Sequence, residues 1–142
     1  MADSFDPELR SAVMRRVRST DTRPERVVRS LLHRMGYRFR LHRKGLPGRP
    51  DVVFPGRRKA IFVHGCFWHG HPGCPRAGRP ATNRAFWDAK LDRNLERDAQ
   101  ALAGLFELGW SVLVVWECSV KRLDALETEL RRFLENDASI KL

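Results

Sequence analysis

DVVFPGRRKAIFVH, residues 51–64, is the stretch on which the fold turns. Two apolar runs, AspValValPhe (51–54) and LysAlaIlePheVal (59–63), flank the sequence ProGlyArgArg. They are short and rich in β-branched or aromatic residues, and Pro-Gly punctuates them. That pattern predicts a hairpin of two buried strands. A short strand is expected just before it at Tyr37–Leu41, followed by the Gly/Pro turn region GLPGRP (45–50).

Helices are expected on either side. Thr22 and Glu25 are spaced as a capping box, with Pro24 in the first turn. Val27, Val28, Leu31, Leu32 and Met35 then form an apolar stripe that Gly36 ends. Upstream, residues 7–18 read as a helix carrying Arg10, Arg15, Arg16 and Arg18, with Met14 at its centre. Downstream, a loop over 75–84 leads into a long helix, about 85–107, with Leu91, Leu95, Leu102 and Leu105 on one side. Residues 110–116, TrpSerValLeuValValTrp, are nearly all apolar and predict a central strand, with Trp110 and Trp116 in the core. Ser119 is placed to cap a last helix at about 120–135. The order argues an α/β fold: one mixed central sheet, helices on both faces and one parallel strand pair.

The 142 residues fit a single domain, 1–142. Lys+Arg outnumber Asp+Glu by 27 to 17, a net charge of +10, which favours a polyanionic partner through phosphate neutralisation. No apolar run approaches a membrane span. Three cysteines without a secretory leader argue against a disulfide scaffold and for a reducing compartment, with the thiols free or bound to metal.

The hairpin runs straight into HGCFWHGHPGC (64–74), which holds three of the five histidines and two of the three cysteines. Cys66, His71 and Cys74 have the donor types and spacing of a zinc site, and Cys118 beyond the last strand can complete a tetrahedron. His64 and His69 are left over. His64 follows one strand and Asp51 opens the other, where sheets present side chains to ligands. Asp51 after Pro50 could merely cap a turn. Beside His64, it could hold Mg²⁺ while a histidine handles water, and a basic protein would offer such a site a phosphodiester. Phe67, Trp68 and Trp87 either form a small core over the loop or stack on nucleobases.

Five stretches together resemble the very-short-patch mismatch-repair endonucleases of bacteria: LPGRPDVVF (46–54), IFVHGCFWHGHPGC (61–74), the FW of 86–87, NLERD (94–98) and LGWSVLVVWEC (108–118). RSAVMRRVRSTDTRPE (10–25) extends the likeness towards the N-terminus. The resemblance implies a restriction-endonuclease-like (PD-(D/E)xK-type) fold with a structural zinc site and an N-terminal arm, residues 1–20, that grips DNA. It implies Mg²⁺-dependent nicking of one strand, 5′ of the thymine in a T·G mismatch left by 5-methylcytosine deamination.

Position by position, the resemblance makes Asp51 and the Val63 carbonyl Mg²⁺ ligands. His69 is then the water-activating group, supported by Glu25; His64 assists at the phosphate, and Asp98 is a further acid. Cys66, His71, Cys74 and Cys118 match zinc ligands, Phe67, Trp68 and Trp87 the aromatic wedge, and Met14, Arg15 and Arg16 the arm. Against the wider restriction-enzyme pattern, Pro50-Asp51 is present, but Phe62-Val63-His64 lacks the second acid and the lysine, as this repair family does.

A monomer in the bacterial cytoplasm, associated with the nucleoid, is expected. Whether mismatch-repair proteins such as MutL assist is left open. Two other functions compete: a nuclease of the same fold acting on other DNA sites, and a non-catalytic zinc-containing DNA-binding module.

Overall fold

The computed structural model describes residues 21–136. The predicted basic helix at 7–18, with Met14, Arg15 and Arg16, lies outside the described residues. Helix α1 (Arg23–Arg34) begins where the capping box places it. Thr22 Oγ1 accepts from the Glu25 amide at 3.4 Å. The reciprocal bond is shifted by one residue, because Glu25 Oε2 accepts from the Asp21 amide at 3.0 Å rather than from Thr22. Gly36, at φ 89, then turns the chain out of the helix.

The sheet has four strands: β1 (Arg40–Leu41), β2 (Val52–Phe54), β3 (Lys59–His64) and β4 (Ser111–Trp116), in the order β1-β2-β3-β4. The predicted hairpin is β2–β3, antiparallel, with Val52 opposite Ile61. The strand expected over Tyr37–Leu41 shrinks to two residues, because Tyr37 and Phe39 turn their rings onto Phe54 instead of extending a ladder. After β3 the chain crosses through helix α2 (Arg84–Glu107) and returns as β4, parallel to β3.

Strand β4 is therefore an edge strand among the described residues, not the central one its composition predicts; β3 takes that place beside it. Its apolar run has a different cause, since both faces are covered. On one face Val52, Ile61, Leu113 and Val115 pack against Val28, Leu31 and Leu32 of α1. Helix α3 (Leu123–Glu135) adds Leu126, Leu130, Phe133 and Leu134 there. On the other face Val53, Ala60, Phe62 and Val112 meet Ala101 and Leu105 of α2, with Trp110 buried among them. Trp116 is only half-buried and flanks the loop after β3 instead of joining either core.

Side chains and turns lock these layers together. Lys59 is buried and its Nζ donates to the Phe133 and Leu134 carbonyls at 2.7 and 3.1 Å, closing the C-terminal end of α3. A Cβ at Gly48 (φ 74) would collide with Ala101, so the GLPGRP turn can lie on α2 only with glycine there. Ser119 does not cap α3. It lies in a 3-10 turn, Glu117–Lys121, and the helix starts after Arg122 without a side-chain cap. No described helix is long and apolar enough to cross a membrane.

Candidate active site and thiol cluster

Strand pairing gathers the site at one end of the sheet. Because β2 runs antiparallel to β3, Asp51 at the entry of β2 meets the exit of β3. Its Oδ2 accepts from the Val63 amide at 2.6 Å. Because β4 runs parallel, His64 stands opposite Trp116, and Cys118 follows two residues on.

The loop after His64 is wound by its own backbone. The amide of His69 donates to Gly65, that of His71 to Cys66 and that of Cys74 to His71, at 3.0–3.3 Å. Gly70, at φ 61, passes close over Leu95 of α2. Leu95 is thus exposed beside the loop and does not extend the buried stripe of Leu91 and Leu105. The Cys66 amide donates to Glu117 Oε1 at 3.1 Å, tying the loop to the end of β4.

Cys66, His71, Cys74 and Cys118 bring their donor atoms within 4.8 Å of one another. His71 Nδ1 lies 3.6 Å from Cys66 Sγ and 3.5 Å from Cys118 Sγ, and its ring stacks on Trp116 at 4.2 Å. Burial, chiefly, pushes the Cys66 thiol up to about 12, with the Cys118 sulfur adding to the rise. A buried thiolate there needs a cation beside it. Three sulfurs and one imidazole nitrogen, gathered from the segments that follow both strands of the parallel pair, fit a soft or borderline tetrahedral metal.

His69 lies two residues from the thiol cluster and faces elsewhere. His69 Nδ1 is 2.7 Å from Asp98 Oδ2 on α2, and its ring stacks on His64 at 3.8 Å and 8°. Asn94, one helical turn before Asp98, donates to the Trp68 carbonyl at 3.1 Å. One face of α2 therefore holds both the histidine and the neighbouring tryptophan backbone. His64 is buried, and burial first, then the His69 charge, lowers its pKa to about 4; it stays neutral near pH 7.

Asp51 moves the other way. Burial raises it to about 7 against the Val63 amide, which lowers it; Glu25 adds to the rise, while His69 and Arg29 oppose it. Glu25, at 3% exposure, is the most buried carboxylate described here. It sits 3.5 Å from His42 Nε2 and 4.0 Å from Arg29, rather than against His69, whose partner is Asp98. A bare carboxyl at a pKa near neutrality and a neutral imidazole form a site that can gain a divalent cation and move a proton.

The rings occupy the outer side of the loop. Phe67, Trp68 and Trp87 meet at centroid distances of 5.1–5.9 Å, mostly edge to face. Phe67 and Trp68 are half-buried, Trp87 lies beneath them at 6% exposure, and Phe86 is 38% exposed.

Four contributors escaped the sequence reading: His42, Arg29, Asn94 and Glu117. Asn94 and Glu117 carried a usable signal. Asn94 precedes Asp98 by one helical turn, and Glu117 is a carboxylate closing an apolar strand. His42 carried none, because only the β1–β2 pairing brings it to Asp51.

Comparison with known proteins shows the family and the fold. Residues 2–75 match the family described as DNA mismatch endonuclease Vsr. The type II nicking enzyme V.XorIIP of Xanthomonas oryzae pv. oryzae is 53% identical over 135 residues, 95% of this chain and 98% of the relative. The DNA mismatch endonuclease Vsr of Escherichia coli is 45% identical over 129 residues, 91% of this chain and 82% of that one. Among solved structures, the catalytic domain of the homing endonuclease I-Bth0305I superposes with a TM-score of 0.59 at 20% identity, covering 84% of this chain and all (100%) of that domain. That likeness concerns the fold, a restriction-endonuclease-like mixed sheet with flanking helices, as expected from the sequence.

Proposed function

We propose that this chain, which belongs to the DNA mismatch endonuclease Vsr family and is a DNA endonuclease, nicks one strand of duplex DNA 5′ of the thymine in a T·G mismatch. The observation that carries the chemistry is the stacked His64–His69 pair anchored by Asp98 at the strand ends where Asp51 stands. Family membership removes the non-catalytic alternative. The nicking enzymes among the relatives keep a second reading alive, cleavage at other DNA sites by the same machinery.

Asp51 and the Val63 carbonyl are the residues that would hold Mg²⁺. When bound, the ion supplies Lewis-acid stabilisation of charge at the scissile phosphate. Asp98 accepts from His69 Nδ1, which fixes the tautomer and leaves Nε2 free to take a proton from the attacking water. Water adds to phosphorus as His69 takes its proton, one P–O ester bond breaks, and the departing sugar oxygen takes a proton from solvent, which leaves a nick. His64, neutral and pressed flat on His69, can hydrogen-bond at the phosphate without adding a charge that competes for the metal. Glu25 acts from the second ring of contacts, next to His42 and Arg29.

Zinc in the Cys66, His71, Cys74 and Cys118 cluster would hold the loop. Phe67 and Trp68, braced by Trp87, would wedge at the mismatch, where a T·G wobble unstacks more cheaply than a matched pair. Met14, Arg15 and Arg16, in an arm formed by residues 1–20 of a single domain, would grip the duplex backbone. The protein would act as a monomer in the bacterial cytoplasm, at the nucleoid; assistance by proteins such as MutL is a separate question that a reconstituted repair assay answers.

Labelled duplexes carrying T·G or the matched pairs, in several contexts, test this function. Nicking confined to the thymine strand of T·G, dependent on Mg²⁺ and lost in Asp51→Ala, is expected. Equal cutting of matched duplexes would support the second reading, and an active Asp51→Ala would refute the catalytic assignment.

A further inference from the structure

Glu25 and Asp51 come from different elements, yet they share one neighbour that the chemistry above does not use. His42 follows β1, and the pairing of Leu41 with Val52 carries it to the mouth of the site. Its Nε2 lies 3.5 Å from Glu25 Oε2, and its Nδ1 lies 3.9 Å from Asp51 Oδ1. The backbone amide of the same residue donates to the Asp51 carbonyl at 3.3 Å. Nε2 is buried and makes no hydrogen bond of good geometry, although a carboxylate oxygen stands beside it. A buried polar atom in that condition calls for a reason.

The backbone fixes the direction of the ring. His42 adopts φ 46, the left-handed region that residues other than glycine rarely enter. Asp21, Arg49, Arg58 and Asn83 share that region, so the φ sets the direction of the ring and is not in itself a mark of function. Here the left-handed turn aims a rigid ring between two carboxylates that would otherwise repel each other in a partly buried site. Each ring nitrogen faces one carboxylate, and the width of the imidazole sets their spacing.

We propose that His42 is a positioning residue for this endonuclease: its imidazole spans Glu25 and Asp51 and sets the separation and orientation at which Asp51 receives its cation. It rests on the assignment of Asp51 and Glu25 to the active site. Groups that orient a metal-binding carboxylate typically contribute about 10- to 100-fold to metal affinity or rate.

The test uses the full chain and three variants, read by nicking rate against Mg²⁺ concentration, KM for the duplex and thermal midpoint. His42→Asn suits the left-handed turn but is too short to reach both carboxylates. It should raise the Mg²⁺ concentration for half-maximal rate, or lower kcat, by about 10- to 100-fold, with KM for DNA and the thermal midpoint near the parent's. His42→Gln, whose amide reaches as far as Nε2, should recover most of the loss, and His42→Ala should not. Parent-like Mg²⁺ dependence and kcat in His42→Asn would overturn the proposal, leaving the residue a backbone role only. Equal losses in Asn, Gln and Ala that track a fall in thermal midpoint would overturn it as well, as a purely structural effect. Asp51→Ala run alongside separates the two levels: if it cuts normally, the assignment of the site fails. If it is dead while the His42 variants are normal, this inference alone fails.

Discussion

The thiol cluster and the histidine–carboxylate site share one eleven-residue loop but differ in how their donors are spent. In the cluster, Cys66, His71, Cys74 and Cys118 bring one donor atom each within 4.8 Å of the others. In the site, each group is hydrogen-bonded at one atom, His69 by Nδ1 to Asp98 and Asp51 by Oδ2 to the Val63 amide, and keeps a second atom outside that bond, with Asp51 Oδ1 3.9 Å from His42 Nδ1. The first arrangement is closed and suits a structural ion. The second is open, as a centre that must admit water and a phosphate has to be. Softness of the donors separates them as well, sulfur on one side and oxygen with neutral imidazole on the other. Neighbouring positions in sequence, His69 and His71, thus face different partners, Asp98 and the thiols, as Gly70 turns the chain between them at φ 61.

Four experiments can break or sharpen that contrast. The largest effect is expected from Cys118→Ser. Structural zinc contributes on the order of 10 kcal/mol in small zinc-dependent folds, and one lost thiolate forfeits much of it. The variant should lose zinc and melt far below the parent in calorimetry, and an unchanged melt would detach the cluster from the fold. His69→Ala belongs to the other region. Its nicking rate should fall by about 10²- to 10⁴-fold, the share of a general base, while circular dichroism and zinc content stay as in the parent.

The third experiment uses pH. A carboxyl raised in the folded state contributes stability that is full below its unfolded pKa and is lost as pH rises through the folded one. For Asp51 that window runs from 3.8 to about 7. Three or so pKa units correspond to roughly 4 kcal/mol. Without divalent cations, Asp51→Asn should therefore be more stable than the parent at pH 8 by up to that amount, with the gap closing towards pH 4. Mg²⁺ should narrow it at pH 8 by favouring the carboxylate. A gap that is constant with pH would show that Asp51 ionises normally. His64 has the opposite sign: its lowered pKa makes stability present above 6.5 and lost as pH falls through about 4. The smallest effect is expected from Asn94→Ala, which removes one hydrogen bond to the Trp68 carbonyl, worth about 1 kcal/mol. Discrimination between T·G and matched duplexes should weaken several-fold with little change in melting; unchanged discrimination would leave Asn94 without a part in placing the wedge.

How far the sequence was legible depended on range. Local chemistry read well. The Thr22–Glu25 cap, the Pro-Gly hairpin and the cysteine–histidine spacing are set by residues a few positions apart, and each stands where it was expected. Cys118 lies 47 residues from His71, but it was the only other cysteine, so counting found it. The placement of residues 110–116 failed because an apolar strand reports covered faces, not flanking strands. With α1 and α3 on one side and α2 on the other, an edge strand reads like a central one. Ser119 failed as a cap because a 3-10 turn intervenes, a choice made by packing after β4 and not by propensity. Glu25 was named as a candidate beside His69, but the structure sets it beside His42, which comes to it through strand pairing that no spacing rule reports.

The division of the loop into a closed metal cluster and an open catalytic site is the central claim, and zinc analysis of the purified Asp51→Ala protein beside the parent tests it most directly. Close to one zinc per chain is expected in both, although only the parent nicks DNA. Zinc missing from both, or lost together with activity in Asp51→Ala, would contradict the division and make the two regions one site.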